Sequence, residues 1–289
     1  MFSCKNNNQG GLFANVFFRN MITYLLSIKY NTGSEYEKIP KHYDLPPHYQ
    51  WKTDDFLELG VEFKDENIHP IKNSQQITDT QIKQFLDGDL SIDKSTKYIF
   101  NPPCWCQDSG IVKHITHYFA NSENELCDNI ISRNKYKDRY KNNNDMFIHI
   151  RANHMYPDSH PLRNIVLPDQ AFYEGIIDSL NDEYSNIYMS SDNIEHKICQ
   201  GLIKKYKIIP FVENKIDTIL FGSTCKYVII SSGSFSFMIG LFSFFSEKIF
   251  YHKRAGQGKK MIHPRLGLHW HGWHPNFYPT LITPKYKKI

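Results

Sequence analysis

The sequence predicts an α/β fold whose second half is built on a parallel sheet. From Asn144 onward, short apolar runs alternate with stretches of helical periodicity, the succession that produces a parallel sheet covered by helices on both faces. Polar residues follow several of the apolar runs directly, where sheets of this kind bind ligands. A length of 289 residues suits two lobes better than one compact domain.

The elements follow in order. Asn6-Asn-Asn-Gln-Gly-Gly11 reads as a flexible loop whose glycines permit positive backbone dihedrals. Phe13, Phe17, Met21, Leu25 and Ile28 then fall on one face at helical spacing, so residues 11–28 form a buried amphipathic helix. Asn15, Arg19 and Asn20 within it argue against a membrane span. From about Tyr30 to Asn144 the pattern is irregular, with Pro-rich turns between Pro40 and Pro47 and a short strand at Lys97–Phe100. The polar run Arg133–Asn144 reads as a surface connection between lobes.

Beyond it the spacing predicts strands at Met146–Arg151, Asn186–Ser190, Lys207–Val212, Tyr227–Ser231 and Ile249–His252. Between them Phe172, Ile176 and Leu180 mark one helix and Ile194, Ile198 and Leu202 another. Ile216–Ser223 and Phe235–Phe245 give two more. The organisation expected is an N-terminal lobe at 1–143, a ligand-binding lobe at 144–255 and a C-terminal segment at 256–289 that packs back on both.

Composition narrows the function. Apolar residues are 40% and charged residues 22% of the chain, enough for a folded, soluble protein with a sizeable core. A net charge of +4 without a concentrated basic face gives no reason to expect nucleic acid as a partner. The six cysteines have no disulfide-framework spacing, and no secretory leader is read, so a cytoplasmic protein of the producing or host cell is expected. Cys104 and Cys106 suit neither zinc nor redox spacing. His263, His269, His271 and His274, with Trp270 and Trp273 among them, fit no ligand pattern and read as rim packing with sugar-stacking or structural aromatics. No metal is expected.

Three segments carry possible chemistry. Ser231-Ser-Gly-Ser-Phe-Ser236 spans a strand end and a helix start, so its small hydroxyls and exposed N–H groups either bind phosphate or simply cap the helix. Arg151, after Phe147-Ile-His-Ile150, either offers a planar fork to a diphosphate or pairs with a surface carboxylate. Asp192, closing Ser190-Ser-Asp192, either holds a ribose or base or caps the helix that begins near Ile194. All three fall at strand carboxyl ends of one predicted sheet, and that convergence favours a nucleotide site.

In order and spacing these elements resemble the superfamily of α1,2-, α1,6- and protein O-fucosyltransferases, the α1,2 branch most of all. The family's Gly-Gly-Leu-Gly-Asn-Gln loop is matched by Gly10-Gly-Leu-Phe-Ala-Asn15, with one residue more. His-x-Arg-Arg-x-Asp is matched by His149-Ile-Arg151 and then broken at Ala152 and His154. The Ser-Asp motif is matched by Ser191-Asp192, and Ser-x-Ser-Ser-Phe-Ser-Trp-Trp by Ser231-Ser-Gly-Ser-Phe-Ser-Phe-Met238.

The resemblance implies a GT-B-like architecture of two Rossmann-like lobes and a metal-independent, inverting glycosyl transfer. The donor implied is a nucleotide sugar, GDP-fucose first, and the acceptor a glycan or glycoconjugate hydroxyl, with no further cofactor. Carried over, Arg151 contacts the diphosphate and assists leaving-group departure, and His149 supports that loop. Asp192 lies near the nucleoside; Ser232, Ser234, Phe235 and Ser236 bind phosphate; Asn15 with Gly10 and Gly11 shapes the acceptor-side loop against the donor. The base that takes the acceptor proton is not identified by the resemblance; Asp158, His154 and Asp108 are candidates by residue type and loop position. The alternative is a carbohydrate- or nucleotide-binding protein on the same scaffold that has lost catalysis.

Overall fold

The computed structural model describes residues 1–5, 13–38, 55–101, 106, 109–120, 125–152, 167–180, 183–231 and 233–251. They form two compact units, one from Met1 to Phe119 and one beginning at Ala120. Both are α/β, and each has its own parallel sheet.

In the first unit β1 (Phe2–Ser3) leads to α1 (Phe13–Tyr30) and β2 (Ser34–Glu35), then α2 (Asp55–Glu58), β3 (Asn73–Ile77), α3 (Asp79–Asp87), β4 (Thr96–Phe100) and α4 (Ser109–Ala120). The strands run parallel in the order β2-β1-β4-β3. Phe2 anchors this core, fully buried with its ring 5.3 Å from that of Tyr98 and 5.5 Å from that of Phe85. Thr78 and Gln81 close a reciprocal capping box on α3, and Gly88 ends it at a φ of +93°.

The helix expected at residues 11–28 forms as α1, and its burial is wider than one face. Phe13, Phe17, Met21 and Leu25 are buried, but so are Arg19, Asn20 and Thr23, while Ile28 is 49% exposed. The polar side of α1 is covered because Arg19 Nε pairs with Glu37. Asn20 exchanges two hydrogen bonds with the Glu37 backbone, at 2.9 and 3.0 Å. A buried charge is tolerated only with such a partner, and burial moves the Glu37 carboxyl above its ordinary value.

The second unit carries α5 (Glu125–Arg133), a 3-10 turn at Lys137–Arg139, β5 (Met146–Ile150), α6 (Gln170–Ser179), β6 (Ile187–Ser191), α7 (Lys197–Tyr206), β7 (Ile209–Pro210), α8 (Lys215–Gly222), β8 (Tyr227–Ile230), α9 (Ser234–Leu241) and β9 (Lys248–Tyr251). The five strands are parallel, in the order β7-β6-β5-β8-β9. Alternate residues of β5 serve opposite faces. Met146, Ile148 and Ile150 join Tyr173, Ile177, Cys199 and Leu202 of α6 and α7 in one core. Phe147 faces the other way, and its ring centroid is 6.0 Å from that of Phe221 in α8. Coverage on both sides explains why β8 is apolar along its length and β5 is apolar except at His149.

Several expected boundaries shift for identifiable reasons. The run Arg133–Asn144 is not merely a surface connection. Asn134 and Tyr140 are buried, and Asn134 Nδ2 donates to the Leu220 carbonyl at 3.0 Å. Arg139 lies over the Phe221 ring and pairs with Asp145 at 2.7 Å. These ties belong to the second sheet, so the unit starts well before residue 144. The strand expected at Lys207–Val212 contracts to β7, because Lys207 ends α7 with a φ of +55° and Pro210 has no amide to extend a ladder. α7 starts at Lys197 rather than Ile194, with His196 as its cap. α9 stops at Leu241 rather than Phe245, where the Ser243 hydroxyl turns back to the Ile239 carbonyl at 2.7 Å.

Candidate nucleotide site at the carboxyl ends of β5 and β8

Counted from β5, the second sheet has the strand order 3-2-1-4-5. The chain leaves β5 toward β6 on one side and later returns to β8 on the other, so the switch in direction lies between β5 and β8. In open α/β sheets the ligand crevice sits at that switch, beyond the carboxyl ends of the two strands.

The residues there are held by a short network. His149 is the penultimate residue of β5 and pairs in register with Ile230 of β8. Its Nδ1 is 2.6 Å from Ser236 Oγ in the first turn of α9. Ser236 Oγ is 3.2 Å from Ser231 Oγ, which accepts a hydrogen bond from the Arg151 amide at 2.9 Å. The Ser231 amide in turn donates to the His149 carbonyl at 3.1 Å. His149, Ser231 and Ser236 are all buried, and the Phe235 ring covers His149 at a centroid distance of 5.1 Å. Burial, and then the charge of Arg151, lower the His149 pKa to about 3. The imidazole is therefore neutral at any ordinary working pH.

Gly233 precedes α9 with φ +105° and ψ 152°, and no side chain caps the helix there. The Arg151 side chain fills the space a larger residue would take, since a Cβ on Gly233 would lie 2.8 Å from Nη1. A guanidinium thus stands beside the N–H end of a helix whose first turn holds no acidic residue. Both features attract an anion. Among the described residues, no carboxylate forms an ion pair with Arg151.

Asp192 follows β6, and its Oδ1 accepts from the Ala152 amide at 2.6 Å, fastening the end of β6 to the turn after β5. It does not cap α7, a role His196 takes. Ala152 is 2% exposed and lies in the core beside Ile150 and Tyr173.

The structure therefore brings together His149, Arg151, Phe235 and Ser236, with Ser234 at the start of the same helix and Asp192 one strand away. Asn15 lies in the first turn of α1, half-buried in the other unit. Gly10, Gly11, Asp108, His154, Asp158, Ser232, Cys104 and the histidines from His263 to His274 lie outside the described residues. Ser231 and Gly233, read from the sequence only as part of the Ser231–Ser236 segment and given no role of their own there, also belong to this site. The signal for Gly233 was a glycine directly before a helix start, where a positive φ is common.

Among the described residues no cluster of three or more His, Cys, Asp or Glu is placed to hold a metal ion. No described helix is long and apolar enough to cross a membrane. No family model and no curated protein matches the chain.

Proposed function

We propose that the chain is an inverting glycosyltransferase of the fucosyltransferase-like kind, with GT-B-like lobes, taking a sugar from a nucleotide donor to a glycan hydroxyl. GDP-fucose is the donor proposed first, and no metal is required. The observation that carries this reading is the placement of Arg151 against Gly233, at the start of α9 and at the switch point of the second sheet. A diphosphate bound there meets main-chain N–H groups and a guanidinium together.

The acceptor oxygen attacks the anomeric carbon while the bond from that carbon to the β-phosphate oxygen breaks, inverting the configuration. The leaving nucleoside diphosphate gains negative charge. Arg151 and the helix end oppose that charge more strongly in the transition state than in the ground state. The acceptor proton passes to a base, for which Asp158 and His154 are the candidates by residue type. His149 is neutral and buried, so it supplies no charge to the phosphate.

Support comes equally from the motif resemblance, in which His149-Ile-Arg151, Ser191-Asp192 and Ser231–Ser236 stand in order. One observation favours the second reading, a binding protein without catalysis. The position of the family's second arginine is Ala152, buried in the core, so the crevice has one cation fewer than the motif provides.

The two readings separate in a thermal-shift screen of GDP, UDP and dTDP and their sugars, followed by a nucleotide-release assay on whichever binds. Stabilisation of a few degrees with turnover supports the enzyme. Arg151→Ala should lower turnover at least about a hundredfold with the melting temperature unchanged. Unchanged turnover in that variant removes the assignment, and stabilisation without turnover supports the binding protein.

A further inference from the structure

We propose that the ring of Phe235 is the wall against which the transferred sugar packs, and that it selects donors whose sugar carries an apolar group such as the methyl of a 6-deoxyhexose. This rests on the reading of the crevice as a nucleotide-sugar site. It gives the ring a part separate from the phosphate contact that the motif implies for this residue, a contact the backbone can make and a phenyl group cannot.

Phe235 is the second residue of α9, and it is half-buried where Ser236, Phe237 and Met238 after it are buried. A helix start bordered by Ser234, Ser236 and the Arg151 guanidinium thus carries one apolar ring. The His149 imidazole backs that ring, 5.1 Å away between centroids and tilted by 51°, a spacing at which aromatic pairs attract. Because His149 is uncharged, the ring and its support together form a neutral surface beside the cation. Sites for small molecules combine such a surface with a few placed polar groups.

The topology decides which part of the donor meets it. The first-turn N–H groups of a helix point away from its body, so a phosphate held at the start of α9 touches the backbone of Phe235. The group bonded to that phosphate comes within reach of the side chain, and it is either the sugar or the nucleoside. In the strand order β6-β5-β8, Asp192 follows β6 and is fastened to the turn after β5, while Phe235 follows β8. With the nucleoside on the Asp192 side, as the motif resemblance implies, the diphosphate lies between and the sugar falls to Phe235. A pyranose offers its hydroxyls to serine and arginine, and its C–H face and a C6 methyl to a phenyl ring.

Calorimetric titration of the full chain with GDP, GDP-fucose and GDP-D-arabinose, whose sugar is the same pyranose without the C6 methyl, reads the contact directly. The parent is expected to bind GDP-fucose about tenfold more tightly than GDP-D-arabinose, and in Phe235→Ala this ratio falls to about one. The affinity for GDP itself stays within about twofold of the parent, since the backbone that meets the phosphate is kept. Phe235→Leu, which remains apolar, keeps most of the ratio, whereas Phe235→Gln loses it and decides the matter if the alanine chain does not fold. Equal affinities of the parent for the two sugars overturn the assignment, as does a ratio unchanged in Phe235→Ala or Phe235→Gln. A loss of GDP affinity as large as the loss of GDP-fucose affinity overturns it too, because the ring then meets the nucleotide. In each of these cases the nucleotide site stands. If the parent binds none of the three compounds, the GDP-sugar reading itself fails and the role of Phe235 falls with it.

Discussion

The side chain of Arg151 lies across Gly233, so that a Cβ on the glycine would stand 2.8 Å from Nη1 and 3.3 Å from Cδ. The glycine's φ of +105° is itself one that side chains disfavour. Space and backbone at this position are thus both reserved.

Gly233→Ala should therefore act twice. Backbone strain should lower stability by about 1–3 kcal/mol, and the displaced guanidinium should weaken nucleoside diphosphate binding about tenfold, or about 1.4 kcal/mol. Denaturant unfolding and calorimetric titration measure the two effects separately. Unaltered affinity would mean that Arg151 does not hold the anion.

His149 should make stability depend on pH in a definite direction. Its folded pKa, about 3, lies below the ordinary value of 6.5, so between those values the unfolded chain binds more protons. The neutral ring's contribution is complete above about pH 6.5 and is lost as pH falls toward 3, at up to about 1.4 kcal/mol per pH unit. Between pH 7 and 4.5 the parent should lose about 2–3 kcal/mol more than His149→Asn. Urea unfolding at each pH compares them, and parallel curves would refute the shift.

Arg139→Met should destabilise the second unit by about 2–4 kcal/mol, since Asp145 is 5% exposed and loses its cation. The lower half of that range is favoured because the arginine itself is 26% exposed. Adding Asp145→Leu should recover part of the loss. Nucleotide binding should not change, because Asp145 and Thr224, whose hydroxyl accepts from Arg139 Nε at 3.1 Å, precede β5 and β8 and lie at the amino ends of the strands. Chemical denaturation of the two variants, with nucleotide titration of each, checks all three statements.

The second sheet was legible in the sequence because its central strands are buried on both faces, so Met146–Ile150, His149 apart, and Tyr227–Ile230 are apolar without alternation. The first sheet was not. Asn73-Ser-Gln-Gln of β3 are all exposed, while β1 and β2 have two residues each and no period to read. The capping box of Thr78 and Gln81 and the terminal Gly88 were visible signals for α3 that apolar periodicity alone does not reveal. In the crevice, Arg151 and the Ser231–Ser236 segment were legible as residue types after strands. The contact between His149 and Ser236 was not, since it joins positions 87 residues apart through the register of β5 and β8. Ile28 misled because apolar spacing does not say where a helix leaves the core. The burial of Arg19 depends on Glu37, which lies beyond the helix.

The exposed amides of β3 have a consequence for how the chain behaves in company. A sheet margin is a template on which a neighbouring molecule can add a strand. β3 presents four polar side chains there, β2 is only two residues long, and β7 is equally short and contains a proline. Among the described residues the β2 and β7 margins thus give a second chain little ladder to extend, and the polar side chains of β3 give it little apolar surface to bury, which favours resistance to strand-exchanged aggregation during expression and concentration.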